Sequence, residues 1–204
     1  MRSRKSLAFV TAVLLLVPAA AFANGGWTVD ARAGVGLPMG DFGNDFKSGL
    51  LMSVEASRMM STNFALGAEG SYVKNNPSDD NQAALDAFFG GPTDAEAKLM
   101  HYGIHGKYML GQPSSKVMPY MVAGAGLYNV KLQVTPPGGP DISNSDNKFG
   151  LRGGLGMNLM VGPKWGIGLQ ADYNDVFTDP SSQYIGISGG LHFILSPGSA
   201  SSTH

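Results

Sequence analysis

The feature that most constrains this chain lies near its end, in the stretch QYIGISGGLHF, residues 183 to 193. Apolar Ile185, Ile187, Leu191 and Phe193 alternate there with Tyr184, Gly186, Ser188, Gly190 and His192. Period two means a β-strand with one apolar face, and the identity of what that face touches decides what the chain is. The pattern recurs in eight segments, about 27–37, 50–59, 63–73, 98–110, 117–132, 148–161, 164–175 and 183–195. In the first, Trp27, Val29, Ala31, Ala33, Val35 and Leu37 oppose Thr28, Asp30, Arg32, Gly34 and Gly36. The sixth sets Phe149, Leu151, Leu155, Met157 and Leu159 against Arg152, Gly154, Gly156 and Asn158. In the fourth, Met100, Tyr102, Ile104 and Tyr108 oppose His101, His105 and Lys107.

The connections alternate too. MGDFGNDFKSG, the segment from Asn75 to Ala97, TPPGGPDISNSDN and FTDPSS are long, whereas MST, GQPSS and the Gly162–Pro163 turn are short. Long and short connections therefore fall at opposite ends of the sheet, as in outer-membrane barrels, where an even strand number returns both termini to one side.

A soluble barrel with an apolar interior would alternate in the same way. Composition separates the two. Only 14% of the residues are charged, against roughly a quarter in a soluble domain, and the polar face is mainly Gly, Ser and Asn, which suits a cramped interior better than a wetted surface. Aromatics gather toward the strand ends on the apolar face (Trp27, Tyr72, Tyr108, Tyr128, Phe149, Trp165, Tyr173, Phe193), as two interfacial girdles require. The expected fold is all-β: an eight-stranded antiparallel up-and-down transmembrane β-barrel.

MRSRKS followed by LAFVTAVLLLVPAA and the small residues of AFA reads as a secretory signal peptide, residues 1–23, cleaved near Ala23. The barrel is expected over 24–195 and a flexible tail over 196–204. The chain has no cysteine, so disulfides, thiolate chemistry and N-terminal lipidation are excluded. A net charge of -1 gives no pull toward nucleic acid.

YIGISGGLHF resembles the C-terminal assembly signal of bacterial outer-membrane proteins, and GVGLPMGDFGNDFKSG, residues 34 to 49, resembles the first outer loop of small barrels of the OmpA transmembrane-domain, OmpX and opacity-protein kind. The resemblance implies a bacterial outer-membrane location in a Gram-negative envelope. It also implies recognition of Tyr184, Gly186, Leu191 and Phe193 by the assembly machinery, and contact with outer-membrane lipid and lipopolysaccharide. The chain departs from the pattern in continuing as ILSPGSASSTH beyond Phe193.

Eight strands enclose a lumen just wide enough for side chains to fill. Asp30, Arg32, Glu55, Glu69, His101, His105, Lys107, Lys148, Arg152, Asp172 and His192 are candidates to face it. Buried charges must be paired, so acids and bases on one face imply a salt-bridged plug, with inward Gly34, Gly154 and Gly168 leaving room for long arginines. The sharper alternative is a gate that exchanges ion-pair partners, with Arg32 and Arg152 as its movers. Four residues along a strand hold His101 and His105 about 13 Å apart, too far for one metal ion, so no metal and no cofactor is expected. His192 with Ser188, Ser53 or Glu55 does not form a recognisable catalytic set, and the chain is expected not to be an enzyme. The glycine runs GVGLPMG and GAGAG lack the lysine and following helix of phosphate-binding loops.

The longest loop carries an apolar island, Ala83 to Phe89, with helical spacing; Phe88 and Phe89 would dock a hydrophobic ligand or rest on the membrane interface or on the loop itself. Binding of an extracellular ligand, if any, belongs to the long loops. The expected role is structural or surface-interacting. Alternatives are a narrow channel for ions or small apolar solutes, as in OmpW-type barrels, and a lipid-modifying envelope enzyme.

Overall fold

The computed structural model describes residues 26–111, 115–179 and 181–196. The expected signal peptide (1–23) and almost all of the expected tail (196–204) lie outside these residues. Eight strands form one closed barrel: β1 (Trp27–Met39), β2 (Gly49–Met59), β3 (Phe64–Asn75), β4 (Asp94–Met109), β5 (Val117–Thr135), β6 (Ile142–Met160), β7 (Trp165–Val176) and β8 (Ser182–Ser196). Each strand pairs antiparallel with its neighbour in sequence, and β1 closes on β8 from Thr28↔Ile194 to Met39↔Gln183. Period two accounts for both walls. Burial along β7 alternates exposed and buried from Trp165 to Asn174, so alternate residues point out and in.

The outward wall is apolar on every side. Val35, Met52, Leu66, Ile104, Leu127, Leu155, Leu169 and Leu191 are all exposed, an apolar surface of an extent that water-soluble monomers rarely present. At the short-turn end Phe64 pairs with Tyr108 and Trp165 with Phe193. At the long-loop end the Phe149 and Phe177 rings lie 5.9 Å apart. Tyr128 is the exception among the expected girdle residues: it is fully buried inside the barrel. Its neighbours explain the reversal, because Gly150 leaves the space beside its ring, where a Cβ would come within 2.7 Å. Gly156 does the same for Tyr120, at 2.2 Å.

The barrel rim is uneven. The β1–β2 ladder ends at Gly36↔Gly49, whereas β5–β6 continues to Val134↔Ile142 and β6 meets β7 only from Gly150↔Val176. β4, β5 and β6 therefore rise as a three-stranded wall above the mouth. The segment expected as a loop over 135–147 is strand from Ile142 onward, and the connection shrinks to residues 136–141 around Gly138, at φ +68. Residues 142 to 147 are exposed throughout; with no buried face they carry no alternation to read. Lys148, expected in the lumen, belongs to this extension, where it pairs with Asp146 at 2.6 Å.

Two helices occupy the outer loops. α1 (Gly40–Asp45) follows β1, and α2 (Asp79–Phe89) covers the apolar island read from the sequence. Ser78 accepts from the Asn81 backbone N–H, Asp79 and Asp80 sit in the first turn, and Gly90 ends the helix at φ +72. These are the start and stop features that hold a short helix together.

Candidate functional site

All eight strands send polar side chains into the lumen, and the chain's buried charges meet there. Glu55 on β2 is the hub: its Oε2 lies 2.9 Å from Arg32 Nη1 and 2.6 Å from Lys107 Nζ, and its Oε1 lies 2.6 Å from Arg152 Nη2. Arg152 reaches onward to Glu69 at 2.9 Å. Asp30 collects Arg32 at 2.9 Å, Lys107 at 2.7 Å and His192 Nδ1 at 2.8 Å. A second chain crosses the lumen from Arg32, which donates to the Tyr120 hydroxyl; Tyr120 donates to Gln170 Oε1, and Gln170 donates to Asp172 Oδ1. Asn174 donates to the other Asp172 oxygen, and Tyr128 donates to Asn174.

Every lumen residue expected from the sequence except Lys148 is in this set: Asp30, Arg32, Glu55, Glu69, His101, His105, Lys107, Arg152, Asp172 and His192 are all buried. Four carboxylates face three permanent cations, so removal from water is offset by direct pairing. The two β4 histidines flank one carboxylate: His105 Nδ1 is 3.1 Å and His101 Nδ1 3.7 Å from Glu69, while His105 Nε2 meets Ser57 Oγ at 2.8 Å. His101 also stacks on Tyr128, with centroids 4.2 Å apart. Among the described residues, no three His, Asp or Glu side chains are grouped as metal ligands would be.

Of the glycines expected to make room for arginine, Gly168 leaves space chiefly for Asn158, whose Oδ1 a Cβ there would approach to 2.7 Å, while Arg32 Nε would lie at an ordinary contact distance of 3.6 Å. Gly34 and Gly154 instead admit neighbouring backbone, at 2.0 Å from the Ile187 carbonyl and 2.4 Å from that of Ala171.

Above the ionic layer the lumen changes character. Leu51, Val73, Leu99 and Val176 point inward with the rings of Tyr128 and Tyr184, and Phe42 of α1 drops into them from the loop. Phe42 is the buried residue of α1. Its segment is pinned by the next loop: the Lys47 N–H donates to the Asn76 carbonyl at 2.8 Å, Ser78 N–H to Asp45 at 2.8 Å, and Lys47 Nζ meets Asp79 at 2.5 Å. Neither this apolar layer nor the inward Tyr120 and Asn174 is among the residues expected from the sequence, whereas Gln170 falls on the polar face of its strand by alternation. Parity held the signal, because Tyr128 shares its face with Gly124 and Gly126, and Leu51 with Ser53 and Glu55. In α2, Phe88 is 82% exposed and meets Phe89 edge-on at 4.9 Å.

A closed antiparallel barrel with an apolar outer wall and a paired polar interior is a transmembrane β-barrel. Residues 9–193 match the model of the outer membrane protein beta-barrel domain, and the chain belongs to that family. It is a protein of the bacterial outer membrane. Among solved structures, Neisserial surface protein A is 20% identical with a TM-score of 0.62, the match covering 82% of this chain and 96% of that one. A major outer membrane protein from Thermus thermophilus is 11% identical with a TM-score of 0.62, covering 83% and 99%. Ail, the attachment invasion locus protein of Yersinia pestis, in complex with the heparin analogue sucrose octasulfate, is 17% identical with a TM-score of 0.53, covering 83% and 99%. At these identities the likeness is one of fold. No curated protein matches the sequence.

Proposed function

We propose that this barrel is a non-conducting, non-enzymatic surface element that interacts through its outer loops. The observation that carries this reading is the double closure of the lumen. An ion-pair network centred on Glu55 crosses the middle, and Phe42 with its apolar neighbours fills the outer mouth. A conduit would need a continuous polar or hydrated path, and these two layers oppose one in succession.

The loops supply what a binding surface needs. The first two outer loops are tied into one platform by Phe46↔Pro77 pairing and by the Asp45, Asn76 and Lys47 bonds, and α2 stands on it with Phe88 presented outward. Loops on a rigid scaffold are where recognition concentrates. The Ail structure with sucrose octasulfate supports ligand capture by barrels of this shape. The ligand class differs here, since Asp41, Asp45, Asp79, Asp80, Asp86 and Asp141 crowd these loops against the single base Lys47. A neutral or cationic ligand suits such a surface; a sulfated one is repelled.

Single-channel recording of the refolded protein in a planar bilayer tests the reading. The expected trace is silent across a range of pH. Steady discrete openings that change in Arg152→Ala would replace it with a gated channel.

A further inference from the structure

We propose that the exposed face of α2 is a docking site for a basic amphipathic helical segment of another polypeptide. The site rests on the loop-interaction role proposed above and names its partner. The two sides of this helix differ. Asn81, Gln82, Leu85, Asp86 and Phe89 are half-buried against the outer loops. Asn81 Nδ2 donates to Asp45 Oδ1 at 3.0 Å, Gln82 Nε2 to the Thr93 carbonyl at 2.6 Å, and the Thr93 N–H to Asp86 Oδ1 at 2.8 Å. The other side, Asp80, Ala83, Ala84, Ala87 and Phe88, is exposed. Asp80, Ala84 and Phe88 follow at four-residue intervals with Ala83 and Ala87 beside them, so the five form one continuous stripe. Among the described residues Phe88 is the most exposed large apolar side chain, more so than any on the outward wall of the barrel.

The charge around the stripe sets the chemistry of the partner. Residues 75 to 97 contain five carboxylates, Asp79, Asp80, Asp86, Asp94 and Glu96, and no Lys, Arg or His. Lys47, the base of the neighbouring loop, is already held by Asp79, and Asp80 makes no ion pair among the described residues. The last turn of α2 carries no base to meet the negative end of the helix dipole, and Phe88 stands at that end. An exposed ring beside a helix C-terminus is a receptor for a cation, through the negative face of its π-system. Asp80, a second receptor, lies eight residues away, about 12 Å along the axis. The alanines between them let another helix approach closely. A helix with basic residues about two turns apart and leucines between them places one cation on Asp80, one over Phe88 and its apolar side on Ala84 and Ala87.

Other occupants fit the stripe less well. A second copy of the chain would bring the same carboxylates face to face, and anionic headgroups would meet them too, so both are repelled. An uncharged apolar peptide would cover the alanines and leave Asp80 without a counter-charge. Because the inner side of α2 is fixed by its hydrogen bonds, docking does not have to order the helix first, which lowers the entropic cost of association.

The experiment is a fluorescence-anisotropy titration of the folded full-length barrel, held in nanodiscs of zwitterionic lipid, against a labelled helical peptide with lysines at positions i and i+7 and leucines at i+3 and i+4. Empty nanodiscs are the blank. Saturable binding is expected, weakened by salt and weakened about tenfold or more when the two lysines are replaced by glutamate. Phe88→Ser and Ala84→Gln should each weaken it about tenfold, as loss of a central contact does, and Asp80→Asn about threefold, the effect of one exposed ion pair. Lys148→Gln, in the projecting hairpin, should leave it unchanged, and the slower migration of boiled than unboiled protein on a gel confirms folding of each variant. Binding that survives both Phe88→Ser and Ala84→Gln would overturn the α2 face while keeping the outer loops as a binding surface. Equal binding of the lysine and glutamate peptides would overturn the basic partner. Self-association of the barrel without peptide, abolished by Phe88→Ser, would overturn the peptide as occupant in favour of a second copy. A peptide that fails to bind a barrel silent in planar bilayers overturns the docking site alone, whereas a conducting barrel overturns the wider reading whether or not the peptide binds.

Discussion

The two layers of the lumen are enclosed by the same eight strands and are held by opposite physics. In the lower layer, Glu55, Arg32, Lys107 and Arg152 are buried charges whose positions depend on one another. In the upper layer, Phe42, Leu51, Val73 and Leu99 are buried by contact alone. Charges removed from water are costly unless every partner is present, so the ionic layer tolerates little change and fixes the cross-barrel register. Apolar contacts are non-directional, and a loop can shift to refill a gap. The barrel therefore places its rigid closure in the middle and its adaptable closure at the mouth, next to the loops that meet the exterior.

The largest expected effect comes from Glu55→Ala. It removes the carboxylate shared by Arg32, Lys107 and Arg152, leaving the first two with Asp30 and the third with Glu69, and the loss of a buried partner costs on the order of 3–5 kcal/mol. Urea unfolding in lipid vesicles should show a matching drop; a variant within 1 kcal/mol of wild type, on the order of a neutral surface change, would mean that the ionic layer is not the rigid one. Phe42→Ala should cost less, about 2–3 kcal/mol, because α1 is a loop segment able to settle into the space, whereas an enclosed core phenylalanine has no such freedom. Phe42→Leu should recover most of that loss in the same assay. If Phe42→Ala proved the more damaging of the two, the ranking of the layers would be reversed.

The smallest effect is expected outside both layers. Lys148 holds the exposed Asp146 carboxyl below its ordinary value through a side-chain hydrogen bond and its charge. A carboxyl depressed in the folded state contributes above its unfolded value and loses that contribution as pH falls through the folded one. Lys148→Gln should raise the Asp146 titration toward the ordinary carboxylate range, visible by NMR, and leave the unfolding midpoint unmoved. A shift in the midpoint would extend the structured closure into the projecting hairpin.

Much of this was legible in the chain itself. The alternation in 27–37, 50–59 and 183–195 gave those strands nearly to the residue, and the island Ala83 to Phe89 gave α2. Period two is a property of the extended backbone and needs no partner to be read. It faltered where a residue's chemistry was weighed over its parity. Tyr128 was assigned to the outer girdle because it is aromatic, although its neighbours Gly124 and Gly126 lie on the inward face. It failed over Ile142 to Asn147, where both faces are exposed.

What the sequence determined by itself is the division of residues between two faces and the closure of a small barrel around the polar one. What only the tertiary structure decided is which inward residues meet. Arg152 finds Glu55 across 97 positions and His192 finds Asp30 across 162. Those meetings follow from the stagger of eight ladders around a closed sheet, and a stagger of one residue would exchange every face. Local alternation is written in each strand, whereas register exists only between strands.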